Sequence, residues 1–313
     1  EWLDSDRELD KDILLAAYYA AEIWPFLPVR STFEDLQNTG NIRLLDDIDL
    51  RARGYEHIEG DFWSTISEVD TLRDGDCTLH RIPRKSLPQA YPNMFLYDDQ
   101  EFMAFVKRVD SEFVYLRCES RDSLMNRRFW GLAPRNLEQA MAMTLLEDDS
   151  VDMTVMTGPA GSGKTLLALS YGLHAILEQK KYNKLIVARS TPPIAEDIGF
   201  LPGTEEEKMT PWMGALTDNL EVLTQPSEGG EWGRAATNDL LASRVKVRAM
   251  NFMRGRTFLN RFVIIDEAQN ITPKQMKALV TRAGPGTKMI CLGNVEQIDT
   301  PYLTETTSGL TFA

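Results

Sequence analysis

Residues 157–165, TGPAGSGKT, have the composition and spacing of a loop that binds phosphate. Gly158 is followed by four residues and then by Gly163, Lys164 and Thr165. Glycines allow the main chain to turn so that its N–H groups point at phosphate oxygens, and a lysine in this place neutralises the β- and γ-phosphates of a nucleotide. The alternative is a strand-to-helix turn without a ligand, which the complete motif disfavours. The residues predicted to contact the nucleotide are Gly158, Pro159, Ala160, Gly161, Ser162, Gly163, Lys164, Thr165 and Leu166.

A pair of acidic residues ends an apolar strand in the segment FVIIDEAQN. We expect this strand to neighbour, in one sheet, the strand that leads into the phosphate loop, so that both carboxylates reach the phosphates. Asp266 and the hydroxyl of Thr165 are then predicted to hold Mg²⁺, and Glu267 to act on water as the general base. The alternative is a solvated strand end. A glutamate in this place favours hydrolysis over transfer to a small molecule.

A third segment with polar side chains, LGNVEQID, follows the strand-like TKMIC. A polar side chain at this place in such a sheet can sense the γ-phosphate. We predict that role for Gln297, with Asn294 beside it. The alternative is a simple connecting loop.

The composition limits the class of protein. The 313 residues are 43% hydrophobic and 26% charged, with a net charge of −13, which argues against a generally basic surface for nucleic acid but allows a local basic channel. We find no apolar run long enough for a membrane helix and no signal-peptide pattern. The cysteines Cys77, Cys118 and Cys291 are scattered without a CxxC pair, so we expect a reduced, cytoplasmic setting and no zinc site.

Three regions differ in their residue patterns, and we predict a domain for each. Residues 1–68 are acidic and combine a helix-like with a strand-like segment. Residues 69–130 contain short alternating runs such as CTLHRI and EFVYLRCES, which predict a small, half-exposed β domain. Residues 131–313 alternate apolar strands with helices, which predicts an α/β domain with a parallel sheet covered by helices on both faces.

With these motifs in place, the chain resembles the PhoH family of ATPases from about residue 134 onward. The resemblance is carried by GPAGSGKTLLAL, ARSTPPIAEDIGFLPGTEEEKMTPW, MRGRT, FVIIDEAQN and LGNVEQIDTPYLTETTSGLT. It implies a P-loop NTPase core similar to the first motor domain of superfamily 1 helicases. It also gives Gln139, in PRNLEQ, the place of a glutamine that reads adenine and so selects ATP.

The amino-terminal region resembles the carboxyl-terminal part of a PIN-type nuclease domain, as in the longer branch of the PhoH family. LDKDILLAA and LLDDIDLRARG resemble segments that supply metal ligands, which implies Asp10 and Asp47 as ligands of Mg²⁺ or Mn²⁺. The strand that carries the first aspartate of such a domain is not matched, and both ends of the chain look truncated against the family pattern. Nuclease activity of these residues is therefore left open.

Two functions remain open for the ATP chemistry. One is a motor that acts on single-stranded RNA and feeds a linked nuclease, supported by the resemblance and by the basic clusters RIPRK, RDSLMNRR and RVKVRAMNFMRGR. Phe129 and Trp130 could then offer surfaces on which bases stack. The other is an ATP-gated oligomeric switch without translocation. For each cluster, a solvated face or ion pairing with acidic residues is the alternative.

The single P-loop favours a homo-oligomer, such as a ring, because a processive motor normally needs two motor domains or a ring. We predict that a neighbouring subunit supplies an arginine to the transferring phosphoryl group. Arg256 is the first candidate, and Arg254 and Arg282 are the others. The alternative is that these arginines bind RNA or pair with acidic residues on the surface.

Overall fold

The computed structural model describes residues 55–74, 77–98, 101–189, 219, 223, 243–249 and 257–313. The chain divides into two compact units, Glu1–Arg51 and Ala52–Ala313, and all the described residues belong to the second. No helix in the described ranges is long and apolar enough to cross a membrane.

A six-stranded sheet comes first in the described chain. Its strands are Tyr55–Ile58 (β1), Asp70–Asp74 (β2), Cys77–Pro83 (β3), Phe95–Asp98 (β4), Met103–Val109 (β5) and Phe113–Cys118 (β6). The strand order is β1-β4-β5-β6-β3-β2, with β1 parallel to β4 and the other pairs antiparallel. The segments CTLHRI and EFVYLRC are strands, as their alternation predicts. β1 also joins this sheet, although it precedes residue 69, where we place the start of the β domain.

The rest of the described chain alternates helices and strands. The helices are Arg121–Met125 (α1), Leu137–Glu147 (α2), Lys164–Leu173 (α3), Pro273–Val280 (α4) and Gly309–Phe312 (α5), and α3 continues as a π-helical segment, His174–Glu178. The strands are Met153–Thr157 (β7), Lys184–Arg189 (β8), Val245–Ala249 (β9), Arg261–Asp266 (β10) and Lys288–Gly293 (β11).

These later strands form a second sheet in which all neighbours are parallel, in the order β7-β11-β10-β8-β9. The expectation that the acidic strand lies beside the strand of the phosphate loop is therefore wrong, because β11 lies between β7 and β10. At about 4.8 Å per strand, the ends of β7 and β10 lie about 10 Å apart. The loop after β11 consequently leaves the sheet between the phosphate loop and the carboxylates.

The strands β8, β10 and β11 of the second sheet are buried on both faces, as the sequence predicts, whereas the edge strand β7 exposes Val155. In β10, Phe262 and Ile264 belong to one core and Val263 and Ile265 to the other. This alternation follows from the two-residue period of a strand. Leu167 and Leu169 of α3 pack in the first core, and Met276 and Leu279 of α4 in the second. The α/β fold with helices on both faces of a parallel sheet is confirmed.

Gly172 allows α3 to lie close to this sheet. A Cβ atom there would overlap the side chain of Leu185 on β8. The close approach holds the helix that follows the phosphate loop firmly against the sheet, which restricts where the loop can lie.

The first sheet packs against α2, which precedes the second sheet. Phe95, Met103 and Phe105 form a core with Ala140 and Met141 of that helix. The opposite face of the first sheet buries a separate core that includes the stacked rings of Phe62 and Phe102. Helix coverage explains why β5 begins with four consecutive buried residues rather than the alternation expected for a half-exposed strand.

Candidate nucleotide site

The candidate site lies at one edge of the second sheet. Because β7, β8, β10 and β11 are parallel, their carboxyl ends meet at this edge. The phosphate loop follows β7, Asp266 ends β10, Asn294 follows β11 and Arg189 ends β8. Parallel α/β sheets usually bind their ligands at such an edge.

The phosphate loop has the turn that its glycines allow. Gly161 has φ 77° and Gly163, the residue before α3, has φ 87°, both in the left-handed region that side chains avoid. The Nζ atom of Lys164 donates to the carbonyl oxygens of Gly158, at 2.6 Å, and Pro159, at 2.9 Å. Partial burial lowers the pKa of Lys164, and the charges of Glu267 and Asp266 oppose that shift.

The loop and the acidic strand come together at Thr165 and Asp266. The Oγ1 atom of Thr165 lies 3.5 Å from Oδ1 of Asp266, although the two residues are 101 positions apart in sequence. Burial raises the pKa of the Asp266 carboxyl group, and Arg189 opposes the shift. A hydroxyl and a carboxylate are hard oxygen donors, the type that Mg²⁺ prefers. Thr165 and Asp266 therefore fit a magnesium ion as its donors.

Glu267 adopts an unusual backbone conformation directly after β10. Its φ is 54° and its ψ is 42°, in the left-handed region, and it opens the short 3-10 turn Ala268–Asn270. Such a conformation costs on the order of 1 kcal/mol for a residue other than glycine and is found disproportionately at functional sites. The conformation turns Glu267 out of the strand direction, and its side chain is 38% exposed.

Gln269, within the motif DEAQN, connects Glu267 to the loop after β11. Only 1% of Gln269 is exposed. Its Nε2 atom donates to Oε2 of Glu267 at 2.6 Å and to the carbonyl oxygen of Gln297 at 3.3 Å, and its Oε1 atom accepts from the N–H of Asn294 at 3.2 Å. We did not predict this role from the sequence. The available signal was an amide side chain next to an acidic pair at the end of an apolar strand.

Gln297 and Asn294 occupy the loop that leaves the sheet between β7 and β10. The side chain of Asn294 accepts from the N–H of Glu296 at 3.1 Å and begins the turn Val295–Gln297. Gln297 is exposed and uses its carbonyl oxygen, not its side chain, in the bond from Gln269. Contact between either side chain and a γ-phosphate stays a prediction.

Gln139, in the first turn of α2, lies against the phosphate loop. Its Nε2 atom donates to the carbonyl oxygen of Ser162 at 3.0 Å, and its Oε1 atom accepts from the N–H of Arg135 at 2.8 Å. A Cβ atom on Gly163 would lie 3.1 Å from the same Nε2. Both polar atoms of the amide thus position the loop, and reading of adenine by Gln139 stays a prediction.

Arg189 is a site residue that we did not predict. Its guanidinium lies 3.8 Å from Oδ2 of Asp266 and 3.7 Å from Oε1 of Glu267. In the sequence it is only the last residue of KLIVAR, and its role depends on which strand lies beside β8.

The remaining predicted residues are four outside the described ranges and one, Arg282, that the structure places. Asp10, Asp47, Arg254 and Arg256 lie outside the described residues. Arg282 follows α4, and its carbonyl oxygen accepts from the N–H of Phe258, just before β10 begins. It therefore lies at the opposite edge of the sheet from Asp266.

The suggestion that Phe129 offers a stacking surface is wrong. Phe129 is 2% exposed and packs edge-to-face on Tyr171 with the ring centroids 5.0 Å apart. In the same basic cluster, Arg127 forms ion pairs with Glu119 and Glu147. Ion pairing was the alternative that we gave for these clusters, and Arg127 follows it.

The parallel sheet, the glycine-rich loop between β7 and α3, and the acidic residues at the end of β10 define a P-loop protein. The chain belongs to the PhoH family: the family model described as "PhoH-like protein" matches residues 131–313. The resemblance inferred from the sequence is confirmed for this part of the chain.

Relatives of the chain match through the same region. This chain is 43% identical over 185 residues to Protein PhoH2 of Bacillus subtilis (strain 168). The match covers 58% of this chain and 41% of that protein. The chain is 37% identical over 177 residues to Protein PhoH2 of Mycolicibacterium smegmatis, covering 56% of this chain and 38% of that protein. The matched region thus spans less than half of either relative.

Among solved structures, the Phi-28 gp11 DNA packaging motor is 13% identical with a TM-score of 0.29, over 49% of this chain and 48% of that one. At this level of likeness, the fold assignment rests on the strand order and loop geometry of the chain itself.

Proposed function

We propose that the chain is a Mg²⁺-dependent ATPase that acts on single-stranded RNA and works with a PIN-type nuclease domain. The observation that carries the ATPase part is the approach of Thr165, after the phosphate loop, to Asp266, at the end of β10, at 3.5 Å. Residues so distant in sequence would form a donor pair for Mg²⁺ next to the phosphate loop.

Each site residue that the sequence predicts has a role in this proposal. Lys164 would exchange the carbonyl oxygens of its own loop for the β- and γ-phosphates, and the first N–H groups of α3 would donate to the same phosphates. Thr165 and Asp266 would hold Mg²⁺, which supplies charge neutralisation at the phosphates when bound. Glu267 would orient water and accept its proton. Gln139 would read adenine, and Gln297 with Asn294 would respond to the γ-phosphate.

Action on RNA is supported by the family resemblance and by exposed basic side chains in the predicted clusters. Lys85, Arg121 and Arg128 are exposed on the described part of the chain. Asp10 and Asp47 would belong to the nuclease metal site. The free thiols of Cys118 and Cys291 suit a reducing cytoplasm. A homo-oligomer such as a hexameric ring would let Arg256 of one subunit reach the site of the next.

The test is nucleotide binding and turnover by purified protein of measured oligomeric mass. Lys164→Ala is expected to abolish binding of the ATP analogue ATPγS, measured by calorimetry in Mg²⁺, because the loop loses its point charge. Lys274→Ala is the matched control, since Lys274 is an exposed lysine on α4. Unchanged binding by the Lys164 variant would refute the site.

RNA action is tested separately. ATP hydrolysis is measured with and without single-stranded RNA, and we expect stimulation by RNA. Hydrolysis that RNA does not change would instead support the ATP-gated switch.

A further inference from the structure

Arg189 has no role in the proposed function so far, although it lies within the site. Phosphoryl transfer generally needs a cation that meets the charge on the transferring group, and an arginine supplies it either from the same chain or from a neighbour. The inference that follows rests on the proposed ATPase function.

The register of the sheet fixes the place of Arg189. β8 lies directly beside β10, and Arg189 is the residue opposite Asp266 in the parallel ladder. Residues that are opposite in a ladder project to the same face of a sheet. The end of β8 therefore brings a guanidinium to the carboxylates without any contribution from another subunit.

The contacts of Arg189 are close but not hydrogen bonded. The separations of 3.8 Å from Asp266 and 3.7 Å from Glu267 exceed the usual 2.7–3.2 Å range of a nitrogen–oxygen hydrogen bond. The Arg189 side chain is 25% exposed, so most of it is withdrawn from water. Its charge is attracted to the carboxylates, yet the directional donors of the guanidinium are not committed to them.

A phosphate group would satisfy those donors better. A guanidinium has five N–H groups in a planar fork that matches two phosphate oxygens, and its charge does not depend on pH in the physiological range. When Mg²⁺ is bound, its charge would offset that of the Asp266 carboxylate. The attraction between Asp266 and Arg189 would then be weaker. The guanidinium would then face the side of the site on which Glu267 acts.

We propose that Arg189 contacts the terminal phosphate of ATP in cis and lets the site distinguish ATP from ADP. It would supply, within one chain, the cation that we expected from Arg256 of a neighbour. Arg256 is then free for another contact, such as RNA.

The test compares affinities for ATPγS and ADP, each with Mg²⁺, by calorimetry. Arg189→Met is expected to weaken ATPγS binding about 10- to 100-fold, the worth of lost charge-assisted hydrogen bonds, and ADP binding less than about threefold. Arg189→Lys keeps the charge but not the planar arrangement of N–H donors. It should also weaken ATPγS binding more than ADP binding, but by a smaller factor than Arg189→Met. Arg261→Met is the matched control, because Arg261 begins β10 at the opposite edge of the sheet. Thermal unfolding of each variant verifies folding.

The measurements distinguish failure of the Arg189 proposal from failure of the proposed ATPase function. Equal weakening of ATPγS and ADP, or no weakening of either, in both folded Arg189 variants would overturn the proposal. A wild-type chain that binds neither nucleotide would refute the proposed function instead. Mixing subunits that carry Arg189→Met with subunits that carry Lys164→Ala gives a second test: no recovery of hydrolysis fits an arginine that acts in cis, and recovery would show that it acts in trans.

Discussion

Glu267 stands out among single residues because its conformation is costly and its neighbours maintain it. Its φ of 54° is in the left-handed region, while Ala268 and Gln269, directly after it, are almost fully buried. A strained residue held by buried neighbours indicates that its orientation is needed. The orientation suits a base that must face water rather than the sheet.

The first prediction concerns this base. Glu267→Gln keeps the shape of the side chain and removes its ability to accept a proton. We expect ATP to bind with nearly wild-type affinity and the turnover rate to fall by about 10²- to 10⁴-fold. Filter binding of labelled ATP together with single-turnover kinetics measures both quantities.

Glu296→Gln is the control for Glu267→Gln, since Glu296 is an exposed glutamate in the loop after β11. It should leave binding and turnover unchanged. If Glu267→Gln also abolishes ATP binding, then Glu267 is a structural residue or a metal ligand and not the base.

Single residues divide sharply in how far the sequence predicts them. A local motif is enough to predict that Thr165 and Asp266 belong to one site, and the structure brings the two side chains to 3.5 Å. Arg189 is not predictable in this way, because it acts through a strand pairing between β8 and β10 that no local pattern encodes. Phe129 was misjudged because exposure depends on packing, here against Tyr171, and an aromatic residue in a basic cluster gives no local sign of it.

The order of the strands brings residues from separate elements together at the site. Each of β7, β8, β10 and β11 is recognisable from its own apolar run, and the parallel sheet follows from the alternation with helices. The neighbours within the sheet do not follow, since the runs are interchangeable in composition. The insertion of β11 between β7 and β10 gives the loop at Asn294 its place, and Gln269 connects that loop to Glu267.

The second prediction tests this connection. Gln269→Met retains an unbranched side chain of similar volume and removes all three hydrogen bonds of the amide. Glu267 and the loop after β11 are then no longer joined by hydrogen bonds through residue 269. We expect the turnover rate to fall at least about tenfold but by less than the ~10²–10⁴ for loss of the base itself. ATPγS affinity should stay within about threefold, because the amide makes no predicted contact with phosphate.

A capping residue provides the matched control for the Gln269 variant. Gln275 accepts from the N–H of Thr272 in the capping box of α4, so Gln275→Met also removes hydrogen bonds of a glutamine. It should reduce thermal stability and spare the turnover rate. An equal fall in turnover for both variants would mean that Gln269 acts only through stability.

At the scale of the whole molecule, the two sheets meet at the carboxyl end of α2. Lys107 on β5 of the first sheet lies 2.5 Å from Oδ2 of Asp148, the residue after that helix. Lys288 on β11 of the second sheet donates to the carbonyl oxygens of Leu145 and Asp148, each at 2.8 Å. Two lysines from different sheets thus hold the end of one helix, where carbonyl groups lack partners within the helix.

The two lysines differ in burial, since the Lys107 side chain is 24% exposed and Lys288 is almost fully buried. Lys288 is only 2% exposed, and burial, with a further contribution from Lys181, lowers its pKa to about 7. A neutral amine has two N–H groups, which match the two carbonyl oxygens that Lys288 contacts. No sequence pattern predicts this, since a lysine at the start of a strand is usually solvated.

The last prediction follows from the sign of that shift. Between pH 7 and 10.5, Lys288 is protonated in a larger fraction of unfolded chains than of folded chains. The contribution of Lys288 to the free energy of unfolding should therefore rise with pH in this window. The rise should approach at most about 1.4 kcal/mol per pH unit from this one group and vanish in Lys288→Met. Urea unfolding at intervals from pH 6 to about 9.5 measures the difference between the two proteins, with Lys274→Met, on the exposed face of α4, as the control that should keep the wild-type slope. A difference between wild type and Lys288→Met that stays constant over the window would show that Lys288 remains protonated in the folded protein, and that both carbonyl oxygens accept from an ammonium group.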